Sequence, residues 1–249
     1  WGREQANLFS TPRSQPISPD GAHRDPRYAG TFGDPIMVSS QFFSGPSVDS
    51  RARRARARDN RNNLGDRMTN LTVPFPRSYW VVPGKFLAGY YPGSRDSVTA
   101  REKMKNLLEH GIRHIVNLME RDEGNFQGEQ FVPYEDQLQT MANAMDISIE
   151  LVHMPIRDMY IPLVEIMVSI LDDIDWAMEH NPAVYLHCWG GRGRTGTVVG
   201  CYLARHGMAV GEAALDLLGE LRRNDPISHL PSPETEIQAD FVRTWPKGK

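Results

Sequence analysis

The sequence predicts an α/β domain, with a central, mostly parallel sheet flanked by helices, behind an irregular N-terminal leader. Three observations carry this. From Tyr79 onward, short apolar β-prone runs alternate with amphipathic helical segments, the order that parallel sheets produce. Residues 1–75 show no sustained period of 2 or 3.6 and are rich in Pro, Ser, Asp, Gly and Arg. Charge divides at the same place. Of 28 Lys+Arg and 31 Asp+Glu, 11 arginines and 7 acids fall in residues 1–75, leaving 17 and 24 for the rest. The leader, 1–75, is therefore basic and the domain, 76–249, acidic.

Within the leader, Arg51 to Arg61 holds six arginines in eleven positions. Such a run fits a solvated linker or an arm for an anionic partner, nucleic acid or lipid, although no aromatic residue is interleaved to stack on bases. Phe86-Leu87-Ala88 is a short strand between turn residues. Asp96 or Ser97 caps a helix with Val98, Met104, Leu107 and Leu108 on its apolar face, and Gly111 stands where a helix C-cap wants it. Ile112 to Met119 reads as a buried strand, Tyr134, Leu138, Met141 and Met145 as a helical stripe, and Ile147 to Ile156 as a strand. Pro162 opens a helix with Leu163, Met167, Ile170, Ile174 and Met178 inward, and Glu165, Ser169, Asp172 and Asp173 outward. After the strand Ala183 to Leu186 come helices from Arg194 to about His206 and from Gly211 to Arg222. A last helix is capped by Ser232-Pro233, with Ile237, Phe241 and Trp245 inward.

Two cysteines give no disulfide framework and suggest a reducing compartment. No apolar run approaches the ~18 residues of a membrane span, and no secretory signal stands out, so a cytoplasmic location is expected.

The chemistry concentrates in His187-Cys188-Trp189-Gly190-Gly191-Arg192-Gly193-Arg194-Thr195-Gly196. A β-run ending in a glycine-rich loop that opens a helix aims backbone N–H groups and the positive helix end at one point, which suits an anion. A thiol in that field is poised as a thiolate. Gly191 to Gly196 also fits the dinucleotide fingerprint G-x-G-x-x-G, and Asp216 lies about 20 residues on. Asp216, however, falls in a helical segment, and too little chain follows for the second strand and its partners. A purely structural cysteine beside a glycine turn has no use for the neighbouring His, two Arg and Thr.

The same residues resemble the signature of the cysteine-based protein tyrosine phosphatase superfamily: His-Cys, five residues, Arg, Ser or Thr, Gly. The chain looks most like its compact dual-specificity branch and bacterial relatives, over about Tyr79 to Trp245. Five residues between Cys188 and Arg194 let the backbone curl once around a phosphate, and the planar fork of Arg194 can hold two phosphoryl oxygens. Thiolate attack by Cys188 would give a cysteinyl-phosphate, so that one difficult displacement becomes two.

The resemblance implies a dual-specificity-phosphatase-like fold and a hydrolase for phosphotyrosine, with phosphoserine/threonine, working without metal or other cofactor. It implies that the Thr195 hydroxyl supports the departing sulfur, and that an aspartate about 30 residues before the cysteine, here Asp158, is the general acid and then base. Asp172, Asp173 and Asp175 are its rivals. His187 orders the loop backbone, and Trp189, Gly190, Gly191, Arg192, Gly193 and Gly196 complete the phosphate loop. Gln238 matches a late segment that positions water in some members, with a surface glutamine as the alternative. Arg192 keeps open a phosphoinositide or other small phosphate ester, and the arginine run an RNA 5′-phosphate. A non-catalytic phosphate-binding module is the alternative from another class. Cys201 is expected in the core.

Overall fold

The computed structural model describes residues 72–125 and 128–249. The arginine run and the leader up to residue 71 lie outside them.

Five strands form one sheet in the order β1-β2-β5-β3-β4: β1 Ser78–Val82, β2 Phe86–Gly89, β3 Ile112–Asn117, β4 Glu150–His153 and β5 Ala183–His187. Only the β1–β2 pair is antiparallel; β2–β5, β5–β3 and β3–β4 run parallel. Among the described residues six helices follow the sequence pattern: α1 Ser97–Glu109, α2 Glu135–Ala144, α3 Val164–His180, α4 Arg194–Arg205, α5 Glu212–Leu221 and α6 Glu236–Thr244. With the right-handed crossovers expected of parallel strands, α1 and α2 share one face, where they touch each other, and α3 takes the other, where it meets β5 and α4. The α4 helix packs on α5 and α6, so its whole surface from Arg194 to Ala204 is buried. At Gly200 an added Cβ would lie 2.6 Å from Val242, which explains how α6 approaches α4 so closely.

The register brings the parallel strands to a common edge. Gly89 pairs with His187, His187 with Asn117, and Asn117 with His153. The four segments that leave this edge build the site, as expected at the carboxyl ends of parallel strands.

Local differences from the sequence reading have physical causes. β1 is a fifth strand that the short apolar pattern did not separate from the leader; Phe75, just before it, is buried. Val98 and Leu163 are exposed, because each sits at a helix start, before the helix meets the sheet. Ile237 is 49% exposed while Val242 and Trp245 are buried, so the inward stripe of α6 is rotated from the expected one. Its cap is Thr235, in a capping box with Gln238, and not Ser232-Pro233. Asp173 is not a solvated residue of α3: with Glu150 it flanks the fully buried ring of His114 at 2.8 and 3.1 Å.

Candidate active site

The loop between β5 and α4 is held by its carbonyls, each turned away from its centre. His187 Nδ1 donates to Cys188 O (3.2 Å) and Tyr91 N to Trp189 O (3.0 Å). Arg77 Nη2 donates to Gly190 O (2.6 Å), Ser232 Oγ to Arg192 O (2.8 Å), and Thr197 N to Gly193 O (2.9 Å). In a peptide unit C=O and N–H point in opposite directions, so this outward pinning turns the N–H groups inward, forming a concave nest at the positive end of α4. Gly191 makes the curl feasible: its φ is +69°, and a Cβ there would lie 2.6–2.7 Å from backbone atoms of Gly89 and Tyr90. The loop glycines thus serve a single turn around one point.

Cys188 lies in this loop, buried, and lines a cleft of about 480 Å³ together with Arg194, Asp158 and Trp189. His187 is wholly buried below it. Its Nε2 accepts from the Tyr134 hydroxyl at 2.7 Å, while Nδ1 carries the proton given to Cys188 O. Burial, with smaller repulsion from Arg194 and Lys103, pushes this ring down to about 3, so it stays neutral and cannot serve as a proton carrier at neutral pH.

Arg194, 1% exposed, is the most constrained cation in the site. Both Nη atoms donate to Glu123, each at 2.6 Å, in a bidentate pair, and Nη1 also reaches Ile156 O at 3.2 Å. Asp158 Oδ1 stands 3.0 Å from Nη2. Burial penalises the guanidinium charge, but the Glu123 hydrogen bonds, with the charges of Cys188, Glu123 and Asp158, hold it protonated. Its Nε has no partner among the described residues. Glu123 is absent from the sequence-derived site: it lies in the loop between β3 and α2, 71 positions from its partner. Its one sequence signal is an acid shortly after a strand that ends at the active edge.

Asp158, on the turn after β4, has a 40% exposed side chain and lines the same cleft. Its rivals have partners elsewhere: Asp172 and Asp175 pair with Arg205, and Asp173 with His114. The Thr195 hydroxyl donates to Gly89 O at 3.4 Å, so in this structure its proton is directed at the β2 edge and not at the sulfur. Arg192 pairs with Glu234, which neutralises the charge that the sequence had left free. Gln238 is fully buried, where a surface glutamine was an open alternative. Its Oε1 accepts from Glu234 N and Thr235 N, and its Nε2 donates to Tyr160 O, two residues past Asp158. The side chain therefore ties α6 to the Asp158 turn. A Cβ at Gly193 would sit 3.2 Å from this Oε1, placing the amide against the loop. Cys201 is buried in the core of α4, where desolvation pushes its thiol up. Among the described residues no group of three or more His, Cys, Asp or Glu side chains is placed to hold a metal ion. Among them also, no helix is long and apolar enough to cross a membrane.

The site thus joins a strand, a glycine-rich loop containing a cysteine, an arginine opening the next helix, and an aspartate lining the same cleft. The family match and the fold support the cysteine-based protein tyrosine phosphatase superfamily, in its dual-specificity-like form. Residues 91–208 match the family model Tc-R-P, described as a polymorphic toxin system DSP-PTPase phosphatase. The uncharacterized protein MJECL20 of Methanocaldococcus jannaschii is 32% identical over 101 residues, 41% of this chain and 63% of that protein. The match thus spans less than two thirds of the relative. Among solved structures, kinase associated phosphatase superposes with a TM-score of 0.52 at 18% identity, over 70% of this chain and 94% of that one. TpbA of P. aeruginosa, in complex with phosphotyrosine, gives a TM-score of 0.50 at 14% identity, over 70% and 88%. These two likenesses concern the fold.

Proposed function

We propose that the chain hydrolyses phosphate monoesters through a phosphocysteine intermediate, with phosphotyrosine, and phosphoserine/threonine beside it, as the preferred class among simple monoesters. The observation that carries this is the outward pinning of five loop carbonyls around Cys188, which leaves inward N–H groups and the Arg194 fork as a preformed receptor for three phosphoryl oxygens. Such preorganised donors stabilise charge as it develops in the transition state.

In the first step the Cys188 thiolate forms an S–P bond as the P–O bond to the leaving group breaks, and protonated Asp158 gives its proton to the departing oxygen. In the second, water attacks phosphorus, Asp158 takes a proton from it, and the S–P bond breaks to release phosphate and restore the thiolate. A phosphate in the nest would take over the Nη2 hydrogen bond that Asp158 now accepts, releasing the carboxyl toward the leaving oxygen. Thr195 would support the returning sulfur by turning its hydroxyl away from Gly89 O. Gln238 serves foremost by fixing the Asp158 turn. Tyr90, Tyr91, Phe131 and Trp189 line the cleft and give an aromatic ring apolar surface to lie against.

A chromogenic aryl phosphate assay in EDTA tests the reading. Turnover is expected to survive chelation, to vanish in Cys188→Ser, and to fall about 100-fold or more in Asp158→Ala. A folded protein that binds tungstate without turning over substrate would instead be a phosphate-reading module. The family model suggests a second reading, a phosphatase acting as a toxin. It predicts growth arrest on expression of the wild-type chain and none with Cys188→Ser.

A further inference from the structure

The charges lining the cleft do not balance. Three of its cations have carboxylate partners: Arg95 with Glu129, Arg192 with Glu234, and Arg194 with Asp158. Two others, Arg77 and Lys103, have none among the described residues. Arg77 gives Nη2 to Gly190 O and lies 4.6 Å from the centre of the Tyr90 ring, while its Nε is buried without a partner. Lys103 donates to Tyr91 O at 3.0 Å and Gly93 O at 2.6 Å, and its Nζ lies 4.5 Å from the centre of the same ring.

Two like charges are therefore gathered around one tyrosine, directly beside the loop, and the arrangement has visible costs. Burial, then repulsion from Arg77, pushes the Lys103 amine down to about 8. Arg77 holds a left-handed backbone, φ +66°, a conformation that strains a non-glycine residue. A wall that merely closed the loop could donate to Gly190 O, Tyr91 O and Gly93 O with neutral groups. Uncompensated positive charge in a cleft is suited to an anion.

We infer that Arg77 and Lys103 form a second anion subsite beside the Cys188 loop, which selects phosphate esters bearing a further phosphate group over simple monoesters. The inference rests on the phosphatase reading for its first phosphate. It transfers to these two residues the role that the sequence suggested for Arg192. Arg77 offers the direct contact through its remaining N–H groups, and Lys103, committed to two carbonyls, supplies field. A soluble polyphosphate ester and a lipid headgroup share this chemistry.

The test uses aryl phosphate turnover as reporter, with orthophosphate and non-hydrolysable methylenebisphosphonate as competitors. The bisphosphonate is expected to inhibit about tenfold more tightly than orthophosphate, a difference of one charge-assisted contact. That ratio should collapse toward one in Arg77→Gln, which can still donate to Gly190 O, whatever the variant does to reporter turnover. In the wild type it should also decline as pH rises through about 8, where Lys103 loses its proton, although the bisphosphonate becomes more anionic. Equal inhibition by the two competitors, or a ratio unchanged in Arg77→Gln and flat with pH, would overturn the subsite. Should Arg77→Gln not fold, the wild-type ratio and its pH course decide. Phosphate release from an inositol bisphosphate in solution, against vesicles containing a phosphatidylinositol bisphosphate, then separates the two sources. Preference over the aryl monoester in neither arm counts against the subsite. Reporter turnover stands or falls separately, and if it is absent the same competitors are compared by calorimetry.

Discussion

Glu123 offers the sharpest test of how the site is held. Glu123→Ala removes two hydrogen bonds of 2.6 Å from a guanidinium that is 1% exposed. Breaking a buried ion pair from one side costs about 3–5 kcal/mol, because the remaining charge is left uncompensated. Here Asp158 at 3.0 Å and the carbonyl of Ile156 at 3.2 Å retain part of the compensation, so the lower end, about 3 kcal/mol, is expected. For a domain of this size that lowers Tm by roughly 6–12 °C. Catalysis should suffer beyond the loss of stability, since the fork is free to rotate out of the plane that faces Cys188. The expected result is a fall in kcat of about 100-fold well below the melting range, with weaker oxyanion binding. Glu123→Gln, which keeps one acceptor, should lie between. Thermal unfolding by circular dichroism and steady-state aryl phosphate kinetics read the two effects. If Glu123→Ala melts within about 2 °C of wild type and keeps its kcat, Arg194 is positioned by something else, and the clamp argument fails.

Two further expectations follow from features outside the catalytic residues. Burial opposes charge on His114, but hydrogen bonds and charge from Asp173 and then Glu150 raise its pKa above 6.5. A raised folded-state value contributes stability that is fully present below 6.5 and is lost as pH rises through the folded value. The gap in urea-unfolding free energy between wild type and His114→Gln should therefore be wider at acid than at alkaline pH, and a gap that widens with pH would contradict the pairing. At Gly191, alanine meets immovable backbone 2.6–2.7 Å away at a positive φ. Gly191→Ala should cost about 1–3 kcal/mol and abolish oxyanion binding, whereas Gly190→Ala, whose Cβ would come no nearer than 4.0 Å to Arg77, should bind. Tungstate-induced thermal shift compares the two.

What the sequence discloses here depends on range. The alternation of strands and helices and the ten residues from His187 to Gly196 are local patterns, and they locate the sheet edge and the cysteine loop. Gln238 was legible only as a residue near the right place; its burial follows from α6 packing on α4, which periodicity does not encode. Glu123 and Arg77 escape for a similar reason. Each is an ordinary charged residue in an irregular segment, and becomes notable only when folding brings it 71 or 113 positions along the chain to the loop. Arg192 shows the converse. It looks uncompensated in the sequence because Glu234, which neutralises it, lies 42 residues away.

The pinned carbonyls have a consequence for what a minimal working unit is. Their donors come from Arg77 before β1, from Tyr91 after β2, and from Ser232 ahead of α6, besides the loop's own neighbours. The receptor is therefore not stored in the ten residues that announce it. On the proposed reading it comes into being only when both ends of the described chain have docked, which would link anion affinity to global folding. A fragment cut to residues 91–208 retains the cysteine, the arginine and the aspartate, yet lacks Arg77, Ser232 and Gln238, and would present their side chains on a loop free to turn its carbonyls inward.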